Sequence, residues 1–216
     1  MKEEADLIIE KYSLELLNEK WILKIFSWEC NWNNIVLVLS WIWKIQSSFA
    51  TTHLLENYNI DSLINIWIAW NISKQDINIW DVILPSKFIQ HDIYLPFPWD
   101  HLDYAKSEIN ISTQSVSSSS DFTVHNNLRC LTGDQFIDDD KVISWLKEQY
   151  SWDLVEMEAY SILSVATNYG LLDKAIVIKW ISDWANNEAI DSHMSNLEVA
   201  MKNSIIVLDE IILKLN

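Results

Sequence analysis

The sequence predicts an α/β fold built round a central sheet, and three observations predict it. Short apolar runs of strand length alternate with longer amphipathic stretches along the whole chain, as in layered strands and helices. No uncharged apolar stretch reaches the roughly 18 residues of a membrane span; the densest, Ile35 to Ile45, has the length of a buried strand. At 216 residues the chain is most simply one domain, residues 1–216, able to bury a large core and without internal repeat.

Taken in order, residues 2–19 place Ala5, Leu7, Ile8, Ile9, Tyr12, Leu14, Leu16 and Leu17 among acids and lysines, which predicts an amphipathic helix. Residues 22–27 and 34–40 read as strands joined by a turn at Trp28 to Asn34. A helix from 44 to 57 leads to a buried strand, Ser62 to Ile68. Asp81 to Tyr94 is a further extended stretch in which Pro85 marks an edge or bulge. Pro96 and Pro98 mark a loop, and Ser115 to Ser120 a solvated loop or turn. Leu128 to Thr132 is strand-like and ends at Gly133-Asp134, before a helix from Asp138 to Tyr150. Leu154-Val155 runs into a helix from Glu158 to Tyr169, which Gly170 closes as a C-cap. Lys174 to Lys179 is another strand, and 192–215 the final helix.

Composition excludes several classes of partner. A net charge of −16 argues against nucleic acid, whose phosphates need clustered lysine and arginine; Arg129 is the one arginine. No basic segment followed by an apolar run opens the chain, so no signal peptide is expected, and no membrane partner. Cys30 and Cys130 match no metal or redox spacing and read as reduced core residues of a cytoplasmic protein, the alternative being a disulfide.

Two glycines against 13 tryptophans is the anomaly of this sequence, since glycine averages about 7% of soluble domains. Ser40-Trp41-Ile42-Trp43-Lys44 follows a strand-like run and opens a helix; Ile66-Trp67-Ile68-Ala69-Trp70-Asn71 carries two more, and Trp80 precedes Asp81 at a strand start. Such turns ask for positive φ or close backbone approach, which glycine supplies and an indole does not. Most tryptophans therefore read as standing at glycine positions, as when the codon UGA is decoded as tryptophan in place of glycine. The alternative is a protein truly rich in tryptophan that stacks sugars or bases. Trp145 suits a helix core as it stands, and Trp21 is undecided.

With glycine read for tryptophan, Ser40–Lys44 becomes SGIGK and Ile64–Asn71 becomes INIGIAGN; Val155–Ala159 is VEMEA and Ile181–Asp183 is ISD. Together with Thr132-Gly133-Asp134-Gln135-Phe136-Ile137, and in this order over nearly the whole chain, they resemble the methylthioadenosine/S-adenosylhomocysteine nucleosidases of the nucleoside phosphorylase superfamily. The resemblance implies a three-layer α/β sandwich with a central mixed sheet flanked by helices, its first strand apparently missing here. It implies hydrolysis of an adenine–ribose bond in 5′-modified adenosines, with no metal or other cofactor, in a homodimer whose only other partner is the small nucleoside. Nucleoside catabolism and methionine salvage are the implied setting.

By the same resemblance Glu4, in Met1-Lys2-Glu3-Glu4, activates the attacking water, and Asp183 protonates adenine N7. Ser182 orients Asp183, Glu158 binds the ribose hydroxyls beside Met157, and Phe136 stacks on adenine while the Ile137 backbone reads its edge. Trp70 stands where a glycine lets backbone approach the ligand. The chemistry is consistent: adenine leaves badly as an anion, so a buried carboxylic acid of raised pKa that protonates it removes much of the barrier. Carboxylates near the sugar then steady an oxocarbenium-like ring, as in glycoside hydrolysis. Each residue has a plainer reading as well. Glu4 could be a solvated first-turn residue, Asp183 an N-cap, Glu158 a favourable helix-start charge, and Phe136 core. His91 reads as a satisfied structural histidine.

Ile68 departs from the family, which often has a small hydroxyl residue there, and literal tryptophans at 41, 43, 67 and 70 would overfill the pocket. Two rival functions follow. A nucleoside phosphorylase shares the fold but needs a phosphate cradle, usually rich in arginine. A non-catalytic nucleoside-binding module gains ground if the indoles are literal.

Overall fold

The computed structural model describes residues 2–20, 23–29, 34–73, 76–93, 107–183 and 189–215. Helix α1 (Lys2–Lys11) leads into an antiparallel three-stranded sheet of β1 (Glu15–Lys20), β2 (Leu23–Glu29) and β3 (Asn34–Leu39). Helix α2 (Lys44–Asn57) precedes β4 (Leu63–Asn71), and then come β5 (Val82–Leu84), β6 (Lys87–Gln90), β7 (Ile109–Asn110), β8 (Val124–Asn126) and β9 (Arg129–Thr132). Helix α3 (Asp140–Tyr150), β10 (Leu154–Glu156), α4 (Ala159–Asn168), β11 (Ala175–Asp183) and α5 (Ala189–Lys214) complete the order. The larger sheet is mixed and runs β7-β6-β9-β10-β4-β11-β5-β8.

Its centre is the parallel pair β4 and β11, aligned from Leu63 opposite Ala175 to Trp70 opposite Asp183. Both strands read as nearly continuous apolar runs because both faces are covered. Ile176, Ile178 and Trp180 fall in one cluster with Met201, Ile205 and Leu208 of α5, while Val177 and Ile181 fall in another with Ala159, Tyr160 and Leu163 of α4. That alternation makes three layers, and each fully buried Ile or Leu contributes about 1.5–3 kcal/mol. Helix α2 is held on α4 by the Ser47 and Ser161 hydroxyls, 2.6 Å apart and buried.

Local signals explain the helix ends. The Asp139 carboxylate accepts from the Lys141 amide at 2.7 Å and caps α3. Gly170, at φ 70°, closes α4 as its sequence position suggests, with the Leu171 amide donating to Ala166. The helix expected over 2–19 is shorter, ending at Lys11. Ser13 takes φ 51°, and 15–20 is a hairpin strand against β2, so pairing across the turn overrides helical periodicity. The extended stretch from Asp81 divides at Pro85-Ser86: β5 joins β11 and β8, whereas β6 joins β9 and β7. The strand expected to end at Lys179 continues to Asp183. Tyr94, Pro96, Pro98, Trp21 and Cys30 lie outside the described residues; Cys130 is a buried free thiol whose pKa burial pushes up.

Among the described residues no strand joins the small sheet to the large one. Val36–Ser40, at and just after the end of β3, and Leu63–Trp67 of β4 instead line a common cavity of about 110 Å³, together with Ala5 and Ile8 of α1. No helix among the described residues is long and apolar enough to cross a membrane.

Candidate active site

Four chain segments meet round position 70. Trp70 lies at the end of β4 with Val155 of β10 opposite on one side and Asp183 of β11 on the other. The register of β11 shifts between Ile181 and Asp183, an irregularity of the kind that re-aims side chains beside functional sites. Strand β9 runs parallel to β10 with Thr132 opposite Glu156, and delivers Gly133 to Ile137 to the same end. Phe136 meets the Trp70 indole edge to face, with centroids 4.8 Å apart at 75°. Ile137 and Met157 are buried in the cluster that holds Trp70.

Glu158 is the N-cap residue of α4 and is 1% exposed. Its Oε1 accepts from the Trp43 amide at 3.3 Å, which brings the turn between β3 and α2 into the site. The structure thus gathers Trp70, Phe136, Ile137 and Met157, with the backbone of Ser182 and Asp183 beside them, and sets Glu158 against the Trp43 turn. The backbone of Glu4 is in α1. The side chains of Glu4, Ser182 and Asp183 lie outside what the structure describes.

A buried network beneath Glu158 was not anticipated from the sequence. Glu156, 1% exposed, accepts from the amides of Glu158 and Ala159 at 3.0 and 2.8 Å, from the Lys179 ammonium at 2.8 Å and from the Thr132 hydroxyl. It therefore ties the start of α4 to β9 and β11. Burial alone would lower the pKa of Lys179, but the Glu156 and Glu158 carboxylates raise it above the ordinary lysine value, so the ammonium stays charged. The signal available in the sequence is one lysine inside the apolar run Ala175–Ile181, since a lysine is almost never fully buried without a partner.

A second network clamps the rim. The Lys44 ammonium donates to both Asp92 oxygens, at 2.7 and 2.9 Å, and to Gln90 at 3.2 Å. The Lys44 amide donates to Asp134 at 2.8 Å, and the Asp134 amide to Asp92 at 2.8 Å. Burial pushes the Asp92 carboxyl up, but Lys44 and the Asp134 amide outweigh it and hold it below the ordinary value. His91 is buried, which lowers its pKa and keeps it neutral. It is structural as expected but not fully satisfied, because Nε2 has no partner among the described residues. Its ring explains Gly133: a Cβ there would stand 2.2 Å from Nε2.

The tryptophan turns carry the backbone that glycine favours. Trp41, Trp43 and Trp80 have φ of 59°, 81° and 78°. Trp43, with ψ 154°, lies in a region essentially reserved for glycine. Trp67 and Trp70 are extended, so φ asks nothing of them; Trp70 is an issue of space. Trp41 and Trp43 are about half exposed and do not overfill the interior, contrary to expectation.

The cations near the site are committed to carboxylates. The Arg129 side chain and amide both donate to Asp153, at 3.1 and 3.0 Å, while Lys179 holds Glu156 and Lys44 holds Asp92. Among the described residues no His/Cys/Asp/Glu group is arranged to hold a metal.

The sequence model of the phosphorylase superfamily matches residues 1–213. A 5′-methylthioadenosine/S-adenosylhomocysteine nucleosidase of Bacillus subtilis is 30% identical over 182 residues, covering 79% of this chain and 77% of that protein. The enzyme of the same name from Chromohalobacter salexigens is 28% identical over 192 residues, 84% of this chain and 80% of its own. Two solved structures share the fold. The Neisseria meningitidis nucleosidase of that name, in complex with methylthio-immucillin-A, has a TM-score of 0.84 at 20% identity over 98% of this chain and 95% of its own. The futalosine hydrolase of Helicobacter pylori has a TM-score of 0.86 at 22% identity over 99% and 94%.

Proposed function

The chain belongs to the phosphorylase superfamily and, within it, to the 5′-methylthioadenosine/S-adenosylhomocysteine nucleosidases, and from that premise we propose that it hydrolyses the N-glycosidic bond of 5′-modified adenosines. Methylthioadenosine, S-adenosylhomocysteine and 5′-deoxyadenosine are the substrates, and adenine is released. What supports the reading is the meeting of Phe136 and the end of β11 at position 70, with buried Glu158 facing the turn between β3 and α2.

In this mechanism Asp183, oriented by Ser182, protonates N7 so that adenine departs neutral. Glu4 takes the proton of the attacking water, and Glu158 beside Met157 grips the ribose hydroxyls and steadies the developing cation. Phe136 stacks on the base and the Ile137 backbone reads its edge. The steps draw on carboxylates alone, with no metal or other cofactor. Removing a general acid or base of this kind typically costs about 10²–10⁴ in rate.

The enzyme works as one domain, in the cytoplasm and as a homodimer, within nucleoside catabolism and methionine salvage. Exposed Ile45 and Phe49 on α2, next to exposed Trp43, support a partner subunit at that face. Hydrolysis is favoured over phosphorolysis because Arg129, Lys179 and Lys44 are each held by a carboxylate and build no phosphate cradle.

The test is chromatographic detection of adenine from the three substrates, with and without phosphate, for the parent made with glycine at 41, 43, 67, 70 and 80 and for its Asp183→Asn variant. Phosphate-independent release by the parent, lost in the variant, is expected. Strict phosphate dependence would make it a phosphorylase, and no release at all a binding module.

A further inference from the structure

Asp81 is buried where the chain enters β5 beside β11, and its carboxylate accepts from three donors. Oδ1 takes the Thr123 amide at 2.9 Å, while Oδ2 takes the Asn78 amide at 2.8 Å and His125 Nε2 at 2.9 Å. His125 lies on β8, and the Asp81 amide donates back to the Asn78 carbonyl across the turn from 78 to 81. One side chain thus knots that turn, β8 and the start of β5 together.

The backbone of the knot grips β11. The Trp80 amide donates to the Ile181 carbonyl at 3.0 Å, and the Ile181 amide to the Asp81 carbonyl at 3.1 Å. Asn203 of α5 in turn donates from Nδ2 to the Trp80 carbonyl at 3.0 Å. Ile181 is the last residue before the register of β11 shifts. It stands opposite Ala69, Asp183 stands opposite Trp70, and Ser182 is the extra residue between them. A strand that slips by one residue turns its side chains to the opposite faces, so a bulge needs a fixed place. The grip on Ile181 supplies it.

We propose that Asp81 and His125 are a positioning pair that locks this bulge, so that residue 183 is held in register for its proton transfer. This role rests on the nucleosidase reading and extends it to two residues to which that mechanism gives no step. A displacement of about 1 Å whose cause is remote from the chemistry can cost about 10² in rate. Phe136 and Glu158 follow β9 and β10 and are not tied to the knot, so the lock bears on kcat and not on binding.

Asp81→Asn leaves one oxygen for three donors, His125→Ala removes one donor, and His125→Gln keeps an amide donor as the conservative variant. Amide exchange followed by NMR on the full-length chain reads the lock whatever the activity. At Trp80 and Ile181 it is expected to quicken at least about tenfold in Asp81→Asn and His125→Ala, with Ile176 and Ile178 unchanged and His125→Gln near the parent. Unchanged exchange at 80 and 181 would overturn the lock. In the glycine-containing parent of the adenine assay, kcat is expected to fall about 10–10²-fold with KM within about twofold, and His125→Gln to regain most of the loss. Quickened exchange with kcat intact, or a rise in KM alone, would overturn the positioning role. A glycine-containing parent that releases no adenine would sink the nucleosidase reading, and exchange alone would then judge the lock. Should Asp81→Asn fail to fold, His125→Ala decides, because that ring is partly exposed.

Discussion

Replacing Trp43 by glycine should stabilise this protein, although it deletes the largest side chain in favour of none. The residue holds φ 81° and ψ 154°, where an L side chain collides with its own backbone. Strain of this kind costs about 1–3 kcal/mol, and glycine's greater freedom in the unfolded chain returns about 0.5–1 kcal/mol of that. The indole is 54% exposed, so its loss gives up little buried surface. The net gain is about 0.5–2 kcal/mol, which in a chain of this length raises Tm by about 1–8 °C. Trp145 is the control. It lies within α3 but is 48% exposed, not in the helix core that its sequence position suggests, because Ile143 and Leu146 form the buried face; it packs edge to face on Tyr150, with centroids 6.0 Å apart. Glycine there costs helix propensity and the ring contact, a loss of about 0.5–2 kcal/mol. Urea unfolding at constant m reads both signs. If Trp43→Gly proves no more stable than Trp145→Gly, positive φ is not what singles out the turn. Peptide mass mapping of the protein made by its own cells then has a definite expectation, glycine at 41, 43 and 80.

Two further outcomes follow from the buried charges. Lys179→Met leaves Glu156 uncompensated at 1% exposure and should cost about 3–5 kcal/mol, measured by urea midpoint. Because the Lys179 pKa is raised, the stability its charge contributes is complete at neutral pH and falls away as pH rises through that value, above 10.5; loss already at neutrality would refute it. In acid the sign reverses at the rim. His91 has a folded pKa below its ordinary 6.5, so its contribution is full above 6.5 and falls away as the pH drops below it. Asp92, lowered from 3.8, adds a second loss as pH falls through its folded value. Stability that stays flat between pH about 7 and 5 would contradict a neutral, buried His91.

The fold was legible where burial writes itself into sequence. Leu63–Asn71 and Ala175–Asp183 are apolar on both faces because α4 and α5 cover both, and no other element type suits such runs between turn residues. The end of α4 was legible from Gly170, which acts locally, whereas its first amides are held by Glu156 and Glu158 makes no capping bond there. Strand β1 was not, because Leu14, Leu16 and Leu17 fit a helical period as well as they fit a hairpin. Only pairing with β2, a contact outside the segment, decides between them. β7 and β8, of two and three residues, are likewise products of their neighbours.

The site divides along the same line. Phe136, Met157 and Glu158 came from motifs; Phe136 packs on Trp70, Met157 is buried in the same cluster, and Glu158 meets the Trp43 amide. Glu156 and Lys179 belong to no local pattern: their partnership spans 23 residues and exists only once β10 and β11 enter one sheet. The tryptophans are the instructive case, because side-chain identity and backbone demand disagree at the same residues. Backbone conformation at 41, 43 and 80 is set by β3 handing over to α2 and by Asp81 entering β5, whatever stands there. A glycine-poor sequence that folds through glycine turns keeps the fold's geometry and carries the conflict as strain, where mutation to glycine can measure it.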